Sequence, residues 1–435
     1  MRGARQVGKT TIVRKFASEY DHFIYLNLEI PQHRKPFESF DNFPTLLESI
    51  FFLQNKSLTQ KGKTLLFIDE IQESPDALKL LRYFYEEEPS IAVVAAGSML
   101  ETIFNPEISF PVGRVEYLII HPVSFPEFLE ALGESQALKQ LTKIPFPDFA
   151  FDKLLQLFRT YCITGGMPEI VQQYVLERDL FSLNTIFDSL IISYLDDVEK
   201  YAGNTNQINF IHHAIRASFI EAGKRIKFQG FGNSGYGSRE MGEALRTLEK
   251  TLILHLVYPQ TGTVLPLTPD KRKSPRLQVL DTGMLNYFAG IQRDIIGTED
   301  LSSVYHGTMI EHMVGQELLA SQYSALHGLI FWVREKKTSS AEVDFLQIHD
   351  SKLIPVEVKS GAEGKLKSLH LFMDNAPHNM AVRFFGNTVS ISQPVTPAGK
   401  EYFLLNLPYF LASQLKRYLS WFEAVITSGD FRKYQ

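Results

Sequence analysis

The sequence predicts an α/β protein that begins with a parallel sheet wrapped by helices. Two observations predict it. Four short runs, 23–28 (FIYLNL), 64–68 (TLLFI), 91–96 (IAVVAA) and 115–120 (VEYLII), are continuously apolar rather than alternating, as strands buried on both faces are. Stretches with helical spacing separate them, which is the order of a βαβ sheet.

The chain has 435 residues, 44% of them apolar and 21% charged, so it can bury more than one core. Changes of pattern divide it into 1–123, 124–204, 205–275, 276–390 and 391–435. Residues 124–200 lack strand signals and carry a Gly165-Gly166-Met167-Pro168 break, which reads as a helical lid or linker. In 205–275, Ile208, Ile211, Ile215 and Phe219 fall at helical spacing, as do Met241, Leu245, Leu248 and Leu252. A Gly/Ser/Asn stretch at 230–238 lies between them. A strand at 253–258 and a turn-rich stretch with Gly262, Pro266 and Pro269 follow, in the order of a winged helix. Residues 276–390 mix helices near 306–322 and 364–374 with strands at 329–333, 342–348 and 353–358. Residues 391–435 read as a further small element.

The net charge of −5 excludes a global basic field for nucleic acid, though not a local basic face. Cys162 is the one cysteine and has no internal partner; it reads as a buried thiol in a reducing, cytoplasmic setting. No apolar run is long enough to cross a membrane, and no secretory signal opens the chain, so no membrane partner is expected.

Gly3, Gly8, Lys9 and Thr10 satisfy G-x-x-x-x-G-K-[ST], the phosphate-binding P-loop. Its glycines let backbone N–H groups curl around phosphates, Lys9 reaches the β- and γ-phosphates, and the Thr10 hydroxyl ligates Mg²⁺. The residues assigned to ATP are Gly3, Gln6, Val7, Gly8, Lys9, Thr10, Thr11 and Asp69. Leu65-Leu66-Phe67-Ile68-Asp69-Glu70 is an apolar strand ending in two acids, a Walker B pattern. Asp69 would hold Mg²⁺, directly or through water, and Glu70 would polarise the attacking water. The plainer reading makes this pair a cap for the next helix. Ser98, after the run 91–96, stands where a sensor would meet the γ-phosphate, or caps a helix. Arg114 either stabilises transition-state charge as an arginine finger or makes a surface ion pair.

The run Arg2 to Thr11, with Ile68-Asp69-Glu70-Ile71-Gln72, Ala96-Gly97-Ser98, Gly113-Arg114 and Pro122 to Phe128, resembles a family of prokaryotic AAA-type ATPases. In that family a domain of unknown function follows the ATPase. Leu280 to Met284, Ile310-Glu311, Glu342-Val343-Asp344-Phe345 and Pro355 to Ser360 are similar to it. A P-loop normally follows a buried strand, yet only Met1 and Arg2 precede Gly3. The resemblance therefore implies a missing N-terminal stretch that includes this strand. Weak or absent nucleotide binding is expected for this chain, restored by an upstream segment.

Asp344, Glu357 and Lys359 have the D-x(n)-E-x-K arrangement of PD-(D/E)XK nucleases, and the resemblance implies that restriction-endonuclease-like fold. A hairpin around Asp350-Ser351 sets Asp344 opposite Glu357 and Glu342 opposite Lys359, all on one face. Opposed Cβ atoms lie ~4.5–5.5 Å apart, so the two carboxylates call for a cation such as Mg²⁺ between them. Lys359 would orient water, and Glu311 is the candidate third acid. The plainer alternative is a Glu342–Lys359 ion pair. Lys224, Arg225, Lys227, Arg239, Lys271, Arg272 and Lys273 could meet DNA phosphates, or form a solvated face beside a protein partner. Two functions stay open: an ATPase whose C-terminal domains bind DNA or a partner protein, with or without Mg²⁺-dependent cleavage, and a nucleotide-dependent switch or scaffold that holds DNA or a partner protein without cutting. Either accommodates a homo-oligomer.

Overall fold

The structure is a computed structural model and describes residues 1–98, 113–199, 202, 204–290, 307–322, 328–336, 339–359 and 366–435. Positions 306, 364 and 365 of two expected helices lie outside the described residues. The chain forms two compact units whose main division falls at His121/Pro122, with Lys250–Leu252 grouped with the first.

In the first unit, β1 (His22–Asn27), β2 (Thr64–Asp69) and β3 (Ala92–Ala95) form a parallel sheet in that order. The helices are α1 (Lys9–Phe16), α2 (Pro31–Glu38), α3 (Phe43–Leu53) and α4 (Pro75–Glu87). Every residue of β2 is buried. Leu66 and Ile68 join one core with Leu46, Ile50 and Phe84, while Leu65 and Phe67 join a second with Val13. Strand period 2 with a helical layer on each face thus accounts for the unbroken apolar run.

The sheet continues past β3 through Arg2, bridged in parallel to Gly97 on one side and to Ile119 on the other. Arg2 N–H donates to the Leu118 carbonyl at 2.7 Å, and Ile120 N–H to the Arg2 carbonyl at 2.7 Å. The expected strand 115–120 therefore pairs only at its end, because Arg2 is its bridging partner. Beside Met1 a cavity of about 420 Å³ lies between Val93–Ala95 and Val115–Leu118.

In the second unit come α5 (Phe125–Ala131), α6 (Ser135–Leu141), α7 (Phe151–Thr164), α8 (Pro168–Glu177), α9 (Asn184–Glu199), α10 (Thr205–Glu221) and α11 (Ser238–Lys250). Strands β4 (Leu254–Val257), β5 (Pro259–Gln260) and β6 (Arg276–Val279) follow, then α12 (Thr282–Phe288) and α13 (Gly307–Ala320). The helix, helix, strand and loop expected over 205–275 are present as α10, α11, β4 and the stretch after it, and β4 pairs antiparallel with β6, a strand the sequence did not announce. Next are β7 (Phe331–Lys336), β8 (Ser339–Val343), β9 (Phe345–His349), β10 (Lys352–Val358), α14 (Lys367–Asn375), β11 (Met380–Phe385), β12 (Ser390–Ser392), β13 (Phe403–Pro408) and α15 (Leu415–Ser428).

The main sheet has the order β12-β13-β11-β10-β9, with β10, β11 and β13 parallel. Val356, Val382 and Leu405 face a core with α13 and α15, while Leu353, Ala381 and Leu404 face α14. The sheet does not stop at residue 390: β13 is an interior strand, and α15 shares a core with α5 and α7. Cys162 is buried in that core.

A buried polar knot ties α5, α7, α12 and α13 together. Asp281 accepts from Gly166 N–H at 2.6 Å and from Met284 N–H at 2.9 Å. Glu317 Oε1 accepts from Phe125 N–H at 3.0 Å and from the Tyr161 hydroxyl at 2.8 Å. Gly165 and Gly166 have no alternative here. Gly165 adopts φ 67°, ψ −164°, a glycine-only region. A Cβ on Gly166 would lie 2.2 Å from the Val123 carbonyl oxygen. Gly166→Ala is expected to cost at least about 3 kcal/mol, because backbone and not a pliable side chain must move. Equilibrium urea unfolding checks this, and an unchanged midpoint would refute it.

Candidate functional site

The phosphate loop turns on two left-handed residues, Gln6 (φ 62°) and Gly8 (φ 93°), and α1 begins at Lys9. A Cβ on Gly3 would sit 2.7 Å from the Ile120 carbonyl oxygen, so only glycine lets the loop start this close to that segment. Lys9 is buried, and its ammonium donates to the carbonyls of Gly3 at 3.0 Å and Ala4 at 2.9 Å. Val7 packs inward, while Gln6 and Thr11 are exposed. The first-turn amides of α1 have no partner within the helix and point at the same space.

The end of β2 closes the other side. The Thr10 hydroxyl donates to Asp69 Oδ2 at 2.8 Å, and the Tyr25 hydroxyl to the same oxygen at 3.2 Å. Glu70 has left-handed backbone (φ 51°, ψ 45°), a strained state for a non-glycine residue. Its carboxylate accepts from the Gln72 amide, whose own oxygen is buried without a hydrogen-bond partner. Burial pushes the Glu70 carboxyl up from the ordinary range, and the Gln72 hydrogen bond and the Lys9 charge oppose the shift. Ala96 N–H bonds the Ile68 carbonyl and Ile71 N–H the Ala96 carbonyl, which joins the ends of β2 and β3. Ser98 follows at that same edge, one residue past the Arg2–Gly97 bridge.

Thr10, Asp69 and Glu70 are therefore gathered where α1 and β2 meet. Arg114 is not. It pairs with Glu86 at 2.9 Å, and Glu86 lies about 16 Å along the α4 axis from Pro75, just beyond Glu70. Of the two expectations for Arg114, the ion pair is the one found. Tyr25 and Gln72 were missed as site residues: Tyr25 sits in an apolar run, and the Gln72 contact depends on the left-handed turn at Glu70.

The second constellation forms around an unanticipated residue. β9 and β10 make the expected hairpin register, Lys352 with His349 through Val356 with Phe345. The strand expected at 342–348 breaks at Asp344, however. β8 pairs with β7, setting Glu342 opposite Val333 and not Lys359. Neither the cross-strand Glu342–Lys359 pair nor a single flat face is formed. The Lys359 ammonium bonds Glu357 instead, and Asp344 Oδ2 accepts from Val358 N–H at 2.7 Å. Burial, then the Asp344 charge, pushes the Glu357 carboxyl up to about 8. Burial also raises Asp344, against the pull of Arg276. Arg276, on β6, ion-pairs with Glu311 and Glu342 and lies 4.0 Å from Asp344 Oδ1. Its one sequence signal was a charge at the head of the short run Arg276-Leu277-Gln278-Val279-Leu280.

The basic residues near the α10–α11 segment are mostly neutralised. Lys224 pairs with Glu221, Arg225 and Lys273 with Glu335, Arg239 with Glu243, and Arg272 with Asp270. Among the described residues, no helix is long and apolar enough to cross a membrane.

A parallel sheet that carries a glycine-rich loop into a helix, with an Asp-Glu pair ending a neighbouring strand, is the arrangement of a P-loop nucleotide-binding domain. Residues 1–129 match the family described as AAA domain. Residues 155–294 match a domain of unknown function (DUF8612), and residues 306–400 another (DUF4143). No curated protein matches the chain. Among solved structures, it is similar to a Walker-type ATPase of Pyrococcus abyssi, with 13% identity over 66% of this chain and 89% of that one and a TM-score of 0.42. It is also similar to Cdc6p of Pyrobaculum aerophilum, with 14% identity over 68% and 87% and a TM-score of 0.24. A third is the Orc1 protein of Aeropyrum pernix in complex with DNA, with 13% identity over 66% and 85% and a TM-score of 0.26.

Proposed function

We propose that the first unit binds ATP with Mg²⁺ and hydrolyses it, and that the second unit engages DNA or a partner protein under control of the nucleotide state, without cutting it. The observation that carries the ATPase reading is the Thr10–Asp69 contact beside a buried Lys9. The Thr10 hydroxyl and the Asp69 carboxylate, hydrogen-bonded at 2.8 Å, are hard oxygen donors of the kind Mg²⁺ takes. Thr10 and Asp69 would hold the ion, with Tyr25 steadying Asp69. A bound Mg²⁺ supplies charge neutralisation on the phosphates.

The remaining roles belong to the chain. Lys9 leaves the Gly3 and Ala4 carbonyls for phosphate oxygens, which compete well because they are charged. Glu70 accepts a proton from the attacking water, and Gln72 sets the direction of its carboxylate. Ser98, at the β3 edge, would contact the γ-phosphate. Lys9→Ala is expected to weaken ATP binding at least tenfold, measured with a fluorescent nucleotide. Unchanged affinity would remove the loop as the binding site.

For the second unit, the order α10, α11, β4, loop, β6 supports a winged-helix-like segment, and the mixed sheet with Asp344, Glu357 and Lys359 supports a nuclease-like fold. A second reading, Mg²⁺-dependent cleavage by Glu311, Asp344, Glu357 and Lys359, is favoured by the nearness of Asp344 to Glu357 that the raised Glu357 carboxyl reflects. Arg276 within the cluster speaks against it. Mg²⁺-dependent DNA cleavage lost in Glu357→Ala would restore it.

A further inference from the structure

Glu311, Glu342, Asp344 and Glu357 come from α13, β8, the β8–β9 junction and β10. Carboxylates gathered this way cannot all stay ionised unless cations stand among them. Two do. Lys359 serves Glu357 from one side. Arg276, only 5% exposed, serves the others. Its Nη1 donates to Glu311 and to the Asp344 carbonyl oxygen at 3.0 Å, and its Nη2 to Glu342. The Phe331 ring, 4.5 Å away, covers the guanidinium face. This is an arginine held on every side, with donors spent on oxygens a hard divalent ion would take.

One oxygen is left over. Glu357 is 4% exposed, and its Oε2 has no hydrogen-bond partner. Neither Arg276 nor Lys359 satisfies it. A buried carboxylate oxygen without a donor is costly to keep in a purely structural cluster, and it is the kind of ligand a divalent cation takes.

We propose that Arg276 is the resident cation of this cluster, standing where a divalent ion would otherwise bind, and that removing it opens a Mg²⁺ or Mn²⁺ site built by Glu311, Asp344 and Glu357. β6 carries Arg276 and is held by the ladder to β4, which follows α11. A displacement of that segment that draws β6 away would exchange arginine for metal. The inference does not rest on the ATPase reading, since it concerns the second unit alone.

The test is calorimetric titration of Mn²⁺ into the full chain without nucleotide, in an Asp69→Asn background that silences the phosphate site. With Arg276 present, no saturable binding is expected up to millimolar Mn²⁺. Arg276→Met should gain one site with at least tenfold tighter binding, and adding Glu357→Gln should abolish it. Saturable binding in the Arg276 chain that Glu357→Gln removes would overturn the proposal. So would a folded Arg276→Met chain with no gain. Should Arg276→Met fail to fold, Arg276→Met with Glu342→Gln carries one less unpaired charge and is read the same way. Every outcome leaves the ATPase reading standing, because Asp69→Asn removes the phosphate site from the measurement.

Discussion

Glu70→Gln is expected to keep nucleotide binding and to lower ATP turnover by about 10²–10⁴-fold, the usual worth of a positioned general base. The amide preserves shape and burial but accepts no proton. Nothing about phosphate contact should change, because Lys9, Gly8 and Thr10 belong to the loop and α1, whereas Glu70 lies beyond the end of β2. The backbone strain at Glu70 (φ 51°) persists in both chains, so the comparison isolates the carboxylate. Because burial raises the Glu70 carboxyl, the wild-type pH–rate profile should lose activity on the acid side above the ordinary carboxylate range. Steady-state turnover and fluorescent-nucleotide binding on the same preparations check both halves. Normal turnover in the variant would remove Glu70 as the water-activating group.

The features legible in the sequence were those fixed locally. The apolar runs of β1, β2 and β3 announce a covered parallel sheet because both faces of each strand need apolar side chains. The β9–β10 register was legible because Asp350 and Ser351, at φ 42° and 62°, form a two-residue turn with both residues left-handed, and such a turn fixes the pairing. The split at Asp344 was not legible. Side-chain alternation runs on unbroken while the strand changes partners from β7 to β10, so periodicity carries no mark of the switch. Arg276 stayed hidden because its carboxylate partners are 35 and 66 residues away. The P-loop was expected to lack its leading support, yet Met1 and Arg2 lie between Gly97 and Leu118, hydrogen-bonded to both sides. Two residues carry no period, so their place in the sheet emerges only once the strands beside them are arranged.

Glu317→Gln is expected to stabilise the second unit at pH 8 and to change it little at pH 5. Glu317 is fully buried, and burial raises its carboxyl to about 7 from the ordinary 4.5. A raised acid binds its proton more tightly folded than unfolded. The stability it lends is complete below the unfolded value and is lost as pH rises through the folded one. The window is pH 4.5 to 7, and the loss is on the order of 3 kcal/mol. Glutamine keeps an acceptor for Phe125 N–H and the Tyr161 hydroxyl, and its amide takes the place of Oε2, which has no hydrogen-bond partner. Other groups titrate nearby in pH: Asp281, raised to about 6, acts with the same sign, and His312, lowered to about 3, acts with the opposite one. The wild-type profile alone therefore does not isolate Glu317, but the difference between wild type and variant does. Trp332 and Trp421, the two tryptophans of the chain, both lie in the second unit, so their fluorescence during urea unfolding reports on it directly. A wild-type-to-variant difference that is equal at pH 5 and pH 8 would mean that Glu317 is ionised in the folded state throughout, and that the knot is held by charge rather than by a shared proton.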